Sequence, residues 1–232
     1  MALSIQSRTI GDVVVLNCAG RIVDGEEASS LDRRVQELQL LHRDFVLDLH
    51  DIAFVDSAGL GLLIRLHARL QSASGDLKLC GVAPNLQKAL HISRLDTVLK
   101  SHDSVDAAIA ALYQPQEGSE PAARPSVDIL CVHPSNDVVA YLRELLRQAG
   151  YGMMATTNTA DAVTLLSATR PKIFVIDSEM RRRGMPERFN SVIGDAWVLE
   201  LPATFSTDDA GEAGQRLLDE LARVAPGLRS RG

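Results

Sequence analysis

Asp51, Ile52, Ala53, Phe54, Val55, Asp56, Ser57, Ala58, Gly59, Leu60, Gly61, Leu62, Leu63, Ile64, Arg65 and Leu66 form the stretch whose reading decides the fold. Just before it, Phe45, Val46, Leu47, Asp48 and Leu49 make a short apolar run rich in strand formers, which predicts a buried strand. After Ser57 the apolar side chains recur at Leu60, Leu63, Ile64, Leu66 and Leu70. Arg65 and Arg69 fall on another face, so the spacing predicts a helix. Asp56 or Ser57 occupies the N-cap position. The Ser57 hydroxyl then lies at the positive end of that helix, where free N–H groups and the macrodipole accommodate added phosphate charge. This makes Ser57 a candidate phospho-switch.

Asp56, Ser57, Ala58, Gly59 and Leu60 resemble, residue for residue, the phosphorylation loop of STAS domains, the bacterial anti-sigma factor antagonist family. The resemblance implies that a strand ending in this motif opens a helix and that a partner kinase phosphorylates the serine. The flanks agree with it. Gly20, Arg21 and Ile22 follow the second strand, and Leu77, Leu79, Cys80, Gly81 and Val82 fit the strand after the helix. The similarity runs from residue 1 to about 112.

Ser57 also has an ordinary reading as a capping hydroxyl, worth roughly 0.5–2 kcal/mol to a helix. Asp56 reads as a cap or loop ligand and not as a general base, because no His, Lys or second carboxylate stands nearby at a useful spacing. Gly59 and Gly61 lack the lysine of a phosphate-binding loop and the spacing of a dinucleotide fingerprint. They are read as permitting close packing or close approach of a partner.

The chain has 232 residues, 46% hydrophobic and 23% charged, which suits a globular protein of two small domains. Its formal charge of −6 is spread over both halves, so neither half has the basic face of a nucleic-acid binder. Cys18, Cys80 and Cys131 each sit in an apolar run, which predicts buried reduced thiols and a cytoplasmic setting. The histidines show no metal-ligand spacing, and His67 and His91 read as helix-surface residues. There is no signal-peptide pattern and no apolar run of ~18 residues, so no membrane contact is expected. No cofactor, metal site or enzymatic activity is predicted.

Residues 3–10 and 12–19 predict two strands joined at Gly11 and Asp12. A helix is expected from Asp24, with Ala28, Leu31, Val35, Leu38 and Leu41 at helical spacing. After the helix from Ala58 to Ser72 come a strand at Leu77 to Val82 and a helix opened by Pro84. A short strand near Thr97 to Lys100 follows, then a last helix capped by Asp103 or Ser104. The prediction for residues 1–113 is an α/β fold, a mixed sheet with helices on one side, the order a STAS fold would give. Residues 114–126 hold three prolines and little apolar bulk and read as a linker.

Residues 127–226 alternate again. Strands are expected at Val127 to Val132, Gly152 to Thr156, Lys172 to Ile176 and Trp197 to Leu201, with helices at Asp137 to Gln148, Ala160 to about Ala168, and Ala210 to Val224. This predicts a parallel doubly wound sheet. The order resembles a response-regulator receiver domain, with Asp177 where the resemblance places the phospho-acceptor and Met180 after it. His133 and Pro134 stand where the resemblance requires the acidic pair that holds magnesium, and neither replaces a carboxylate for that ion. The ending also departs, offering Glu200, Leu201 and Pro202 in place of a Lys before a Pro. The expectation is a truncated, degenerate receiver without phosphotransfer, in which His133, Pro134 and Asp177 mark the lost site. Arg181, Arg182 and Arg183 read as a solvated loop, and Asp208 and Asp209 as preceding the last helix. Residues 228–232 are expected to fray.

The resemblance implies partner switching. Unphosphorylated, the first half would bind an anti-sigma factor carrying a serine-kinase domain of the histidine-kinase-like ATPase superfamily, through Asp56, Ser57, Ala58, Gly59 and Leu60 with Arg65 and Arg69 at the rim. A phosphatase would reset Ser57. The second expectation, from another class, is a non-switching scaffold or accessory subunit of a signalling or transport complex, its second half serving docking or homodimerisation.

Overall fold

The computed structural model describes residues 2–113, 127–205 and 210–224, and the chain divides into two compact units, Met1–Ala122 and Ala123–Gly232. The linker expected at 114–126, Asp208 and Asp209, and residues 228–232 lie outside the described residues.

The first unit opens with β1 (Ser4–Ile10) and β2 (Val13–Ile22), an antiparallel hairpin in which Ile10 pairs with Val13. Gly11 supplies the positive φ of 61° that a two-residue turn needs at its first central position. Helix α1 (Glu26–Gln39) carries the chain to β3 (Asp44–Val55), α2 (Ser57–Ser72) to β4 (Asp76–Cys80), and α3 (Pro84–Ile92) to β5 (Ser101–His102). The unit closes with α4 (Val105–Tyr113), where the Ser104 hydroxyl accepts from the Ala107 N–H at 3.1 Å. The sheet order is β1-β2-β3-β4-β5, parallel from β2 onward.

On one face of the sheet Val14, Leu16, Phe45, Leu47, Leu77 and Leu79 form a buried cluster with Leu31 and Val35 of α1, Leu62, Leu63, Leu66 and Leu70 of α2, and Leu86 and Leu90 of α3. The intervening residues Val13, Val15 and Val46 are equally buried, as are Ala108, Ile109 and Leu112 of α4, which packs on β3, β4 and β5. Helices therefore cover both faces, not one as the sequence suggested. Strands whose apolar residues run continuously have to be covered twice. The strand expected near Thr97 to Lys100 is also displaced. Leu95 to Leu99 make a turn that buries Leu99, and β5 begins only at Ser101.

Beneath α2 lies a buried polar group. Asp76 accepts from Lys78 Nζ at 2.8 Å and from the Leu77 N–H at 2.7 Å, and His67 Nδ1 stands 3.6 Å from it. His67 is thus a buried helix residue, not a surface one.

In the second unit, β6 (Ile129–Val132), α5 (Asn136–Gln148), β7 (Met153–Thr156), α6 (Thr159–Thr169), β8 (Ile173–Asp177), α7 (Ser178–Arg183), α8 (Phe189–Val192), β9 (Trp197–Leu201) and α9 (Ala210–Val224) follow in order. The sheet runs β7-β6-β8-β9, all parallel. Helices α5 and α9 bury Leu142, Leu146, Leu217 and Leu221 against Ile129, Cys131, Ile173 and Val175. On the other face α6 packs on β6 and β7, and Phe174 of β8 meets Phe189 with ring centroids 5.4 Å apart. The parallel, doubly wound arrangement matches the strand and helix spacing of the sequence.

Burial holds His67 below its ordinary pKa, with Asp76 pulling the other way. Unfolding lets His67 take up a proton once pH falls below its unfolded value of about 6.5, so stability drops as pH falls through that value. Burial alone would raise the Asp76 pKa, but Lys78 and the Leu77 N–H bring it below the carboxylate norm, so its contribution is lost only at lower pH. Urea denaturation followed from pH 7.5 to 5 (roughly spanning the ordinary His pKa) should show a shallower loss for His67→Gln than for the unmodified chain.

Candidate functional site

The strand-to-helix junction at Val55 to Leu60 is built around Asp56, the N-cap of α2, with φ −87° and ψ −177°. One carboxylate oxygen accepts from the Gly59 N–H at 2.7 Å and the other from the Asp24 N–H at 3.1 Å. The Asp56 N–H donates to the Ile22 carbonyl at 3.2 Å. The loop after β2 and the loop after β3 are thereby joined. Hydrogen bonds from Gly59 and then Asp24 hold the Asp56 carboxyl below the usual carboxylate range, so it stays ionised near neutrality.

Because Asp56 takes the cap, Ser57 is left as the first helical residue. It is exposed, and its hydroxyl bonds to no described residue. Ala58 and Leu60 are half-buried, Leu60 against the core. Gly59 is buried, and a Cβ there would stand 2.3 Å from the Ile22 carbonyl oxygen. Only glycine lets α2 start so close to the end of β2. Gly61 has room, since a Cβ would meet only the Arg65 guanidinium at 3.3 Å.

The two arginines differ. Arg65 is exposed and pairs with no described residue. Arg69 is turned into the unit, with Nη1 on Asp32 at 2.8 Å and Nε on the Gln39 side chain at 3.1 Å, and so fastens α2 to α1. Next to the junction, Phe54 is 52% exposed and borders a small groove with Ile52, Asn85, Leu86 and Ala89.

No imidazole, amine or second carboxylate bonds to the Ser57 hydroxyl, so the junction does not activate it as a nucleophile. It offers an accessible hydroxyl at a helix start. The links from Asp24 to Asp56 and from Arg69 to Asp32 were missed by sequence reasoning. They join residues far apart in the chain, and no local spacing signals them.

In the second unit His133 follows β6 and Asp177 ends the neighbouring β8, both buried. Asp177 accepts from the Met180 N–H at 2.8 Å, capping α7, and His133 Nδ1 accepts from the Ser135 N–H at 3.1 Å. Burial holds His133 below its ordinary pKa, partly offset by the Asp177 charge. Pro134 is exposed in the bend between His133 and Ser135. Among the described residues no group of three or more His, Cys, Asp or Glu could hold a metal. Arg181 pairs with Glu200 and Arg183 with Glu179. The three cysteines are free and buried, their thiols pushed up to about 12 by burial. No helix among the described residues is long and apolar enough to cross a membrane.

Residues 4–108 match the STAS domain family, and the N-terminal half of the chain is a STAS domain. The chain is 35% identical over 83 residues to protein Rrf1 of Nitratidesulfovibrio vulgaris, covering 36% of this chain and 60% of that protein's length. It is 28% identical over 82 residues to the anti-sigma F factor antagonist of Paenibacillus polymyxa, covering 35% of this chain and 68% of the relative. A crystal structure of an anti-sigma factor antagonist from Mycobacterium paratuberculosis aligns with TM-score 0.44 and 21% identity, covering 49% of this chain and 96% of that one.

If Asp56 is the cap, Asp56→Ala should lower stability by about 1–2 kcal/mol, and Ser57→Ala should change it by less than about 0.5 kcal/mol. Urea denaturation of the two variants measures both. A larger loss from Ser57→Ala than from Asp56→Ala would make Ser57 the capping residue.

Proposed function

We propose that the STAS half is an anti-sigma factor antagonist that switches partners through phosphorylation of Ser57. Unphosphorylated, it binds an anti-sigma factor bearing a serine-kinase domain of the ATPase type. Phosphorylated, it releases it. The chain is substrate and ligand here and not a catalyst; the kinase and a phosphatase supply the chemistry. The observation that carries this reading is the division of labour at the junction, where Asp56 caps α2 and leaves the Ser57 hydroxyl exposed and unbonded.

The surroundings favour a large effect. Phosphate adds about −1.5 to −2 charge beside the Asp56 carboxylate. Arg69 is not available to absorb it, because it is held by Asp32. The charge would face a docked partner, where repulsion and desolvation remove several kcal/mol of affinity, on the order of the cost of a misplaced interfacial charge. Ala58, Gly59 and Leu60 form the contact centre in this reading, and Arg65 is the rim cation.

For the second unit, the strand order β7-β6-β8-β9 with His133 and Pro134 after β6 supports a receiver-derived module without phosphotransfer. Asp177 serves as a helix cap there. We assign it a docking or self-association role.

Paired baits of the full chain, Ser57→Ala and Ser57→Asp, should separate the readings when bound proteins are identified by mass spectrometry. An ATPase-domain kinase held by the Ala bait and lost from the Asp bait is the expected result. The same set of non-kinase proteins on both baits would make the chain a scaffold.

A further inference from the structure

We propose that a cleft at the entry to β8 and β9 binds a small anion carrying a planar ring, of the mononucleotide type, with the ring on Trp197 and the phosphate between Arg170 and Lys172. The cleft has a volume of about 810 Å³, within the ~300–1,000 Å³ common for small-molecule sites. It lies at the opposite ends of the strands from His133 and Asp177, so it is separate from the vestigial receiver position.

Three features of its lining point to this ligand chemistry. Trp197 is the only tryptophan of the chain and is 61% exposed at the head of β9, an indole face left without cover. Such faces stack on nucleobases of any sequence. Arg170 and Lys172 flank it from the β8 side, and neither makes an ion pair with a described residue. Arg170 moreover adopts the left-handed conformation, φ 46° and ψ 58°, at the C-cap of α6, a position where glycine is the usual residue. A guanidinium is therefore kept at the rim against the local backbone preference.

Ser167 and Ser191 add hydroxyls, and Asp195 supplies an acceptor suited to ribose or an exocyclic amine. With two cations against Asp195, the named charged groups leave a net positive rim. Basic residues near the carbonyl end of a helix also complement its dipole. That role explains neither the uncovered indole nor the left-handed arginine.

Trp197 is its own reporter. The full chain is titrated with AMP and GMP, reading tryptophan fluorescence and heat of binding in parallel, with adenosine and inorganic phosphate as separate probes. Saturable binding of at least one nucleotide below about 1 mM is expected. Adenosine and phosphate alone should each bind at least ~10-fold more weakly, by loss of one of the two contacts. Arg170→Gly removes the guanidinium and suits the left-handed backbone, so its Tm should be kept or raised while binding is lost. Lys172→Gln should weaken binding severalfold. Absence of saturable binding by either nucleotide would overturn the proposal. So would unchanged affinity in Arg170→Gly, or inorganic phosphate binding as tightly as the nucleotides.

Discussion

The first unit depends on a single carboxylate. Asp56 spends one oxygen on the Gly59 N–H, starting α2, and the other on the Asp24 N–H, holding the loop before α1. Its own N–H ties the junction to Ile22 at the end of β2. Two helix entries and two strand exits are thus fixed around one ionised side chain. Gly59 completes the arrangement, because any side chain there would strike the Ile22 carbonyl. The exposure of Ser57 follows from the same geometry. A helix start needs one capping side chain, and once Asp56 fills that role the next residue is free to face a partner.

What lies behind α2 makes the junction rigid. Leu62, Leu63, Leu66 and Leu70 anchor the helix to the sheet, and Arg69 fastens it to α1 through Asp32 and Gln39. The Asp76–Lys78 pair under His67 is buried and hydrogen-bonded, an arrangement in which loss of either charge leaves the other stranded. A helix held in this way presents its first turn as a fixed surface. A charge added at Ser57 would then act on a partner directly and not through rearrangement of the domain.

Much of this was legible in the sequence because it is local. The strand at Phe45 to Leu49, the helix after Ser57 and the Gly11–Asp12 turn follow from period and turn chemistry over a few residues. The strands of the second unit read equally well, since parallel strands buried on both faces announce themselves as unbroken apolar runs, whereas Arg181 to Arg183, expected in a loop, lie in α7, the short helix that the Asp177 side chain caps. The same signal at Val13 to Leu16 calls for cover on the second face, which α4 supplies, where helices on one side alone were expected. The choice between Asp56 and Ser57 as cap could not be made from sequence, because both residue types cap well. Arg69 looked like a rim contact by its place on the helix, and only the approach of Asp32 from α1 shows it engaged. His67 looked exposed for a similar reason, its burial being set by Asp76 and Lys78 on a strand. The lining around Trp197 comes from α6, the start of β8 and the loop after α8, and no window of sequence holds all three.

The Ser57 hydroxyl is accessible because Asp56, and not Ser57, caps α2. The most direct test is to incubate the full chain with ATP and an extract of its own cells, then locate and quantify phosphate by intact-mass and tandem mass spectrometry. A single phosphate approaching one per chain on Ser57, and none on the Ser57→Ala chain, is the expected result. Phosphate confined to other residues, or a chain left unmodified by an extract that phosphorylates its other substrates, would contradict it.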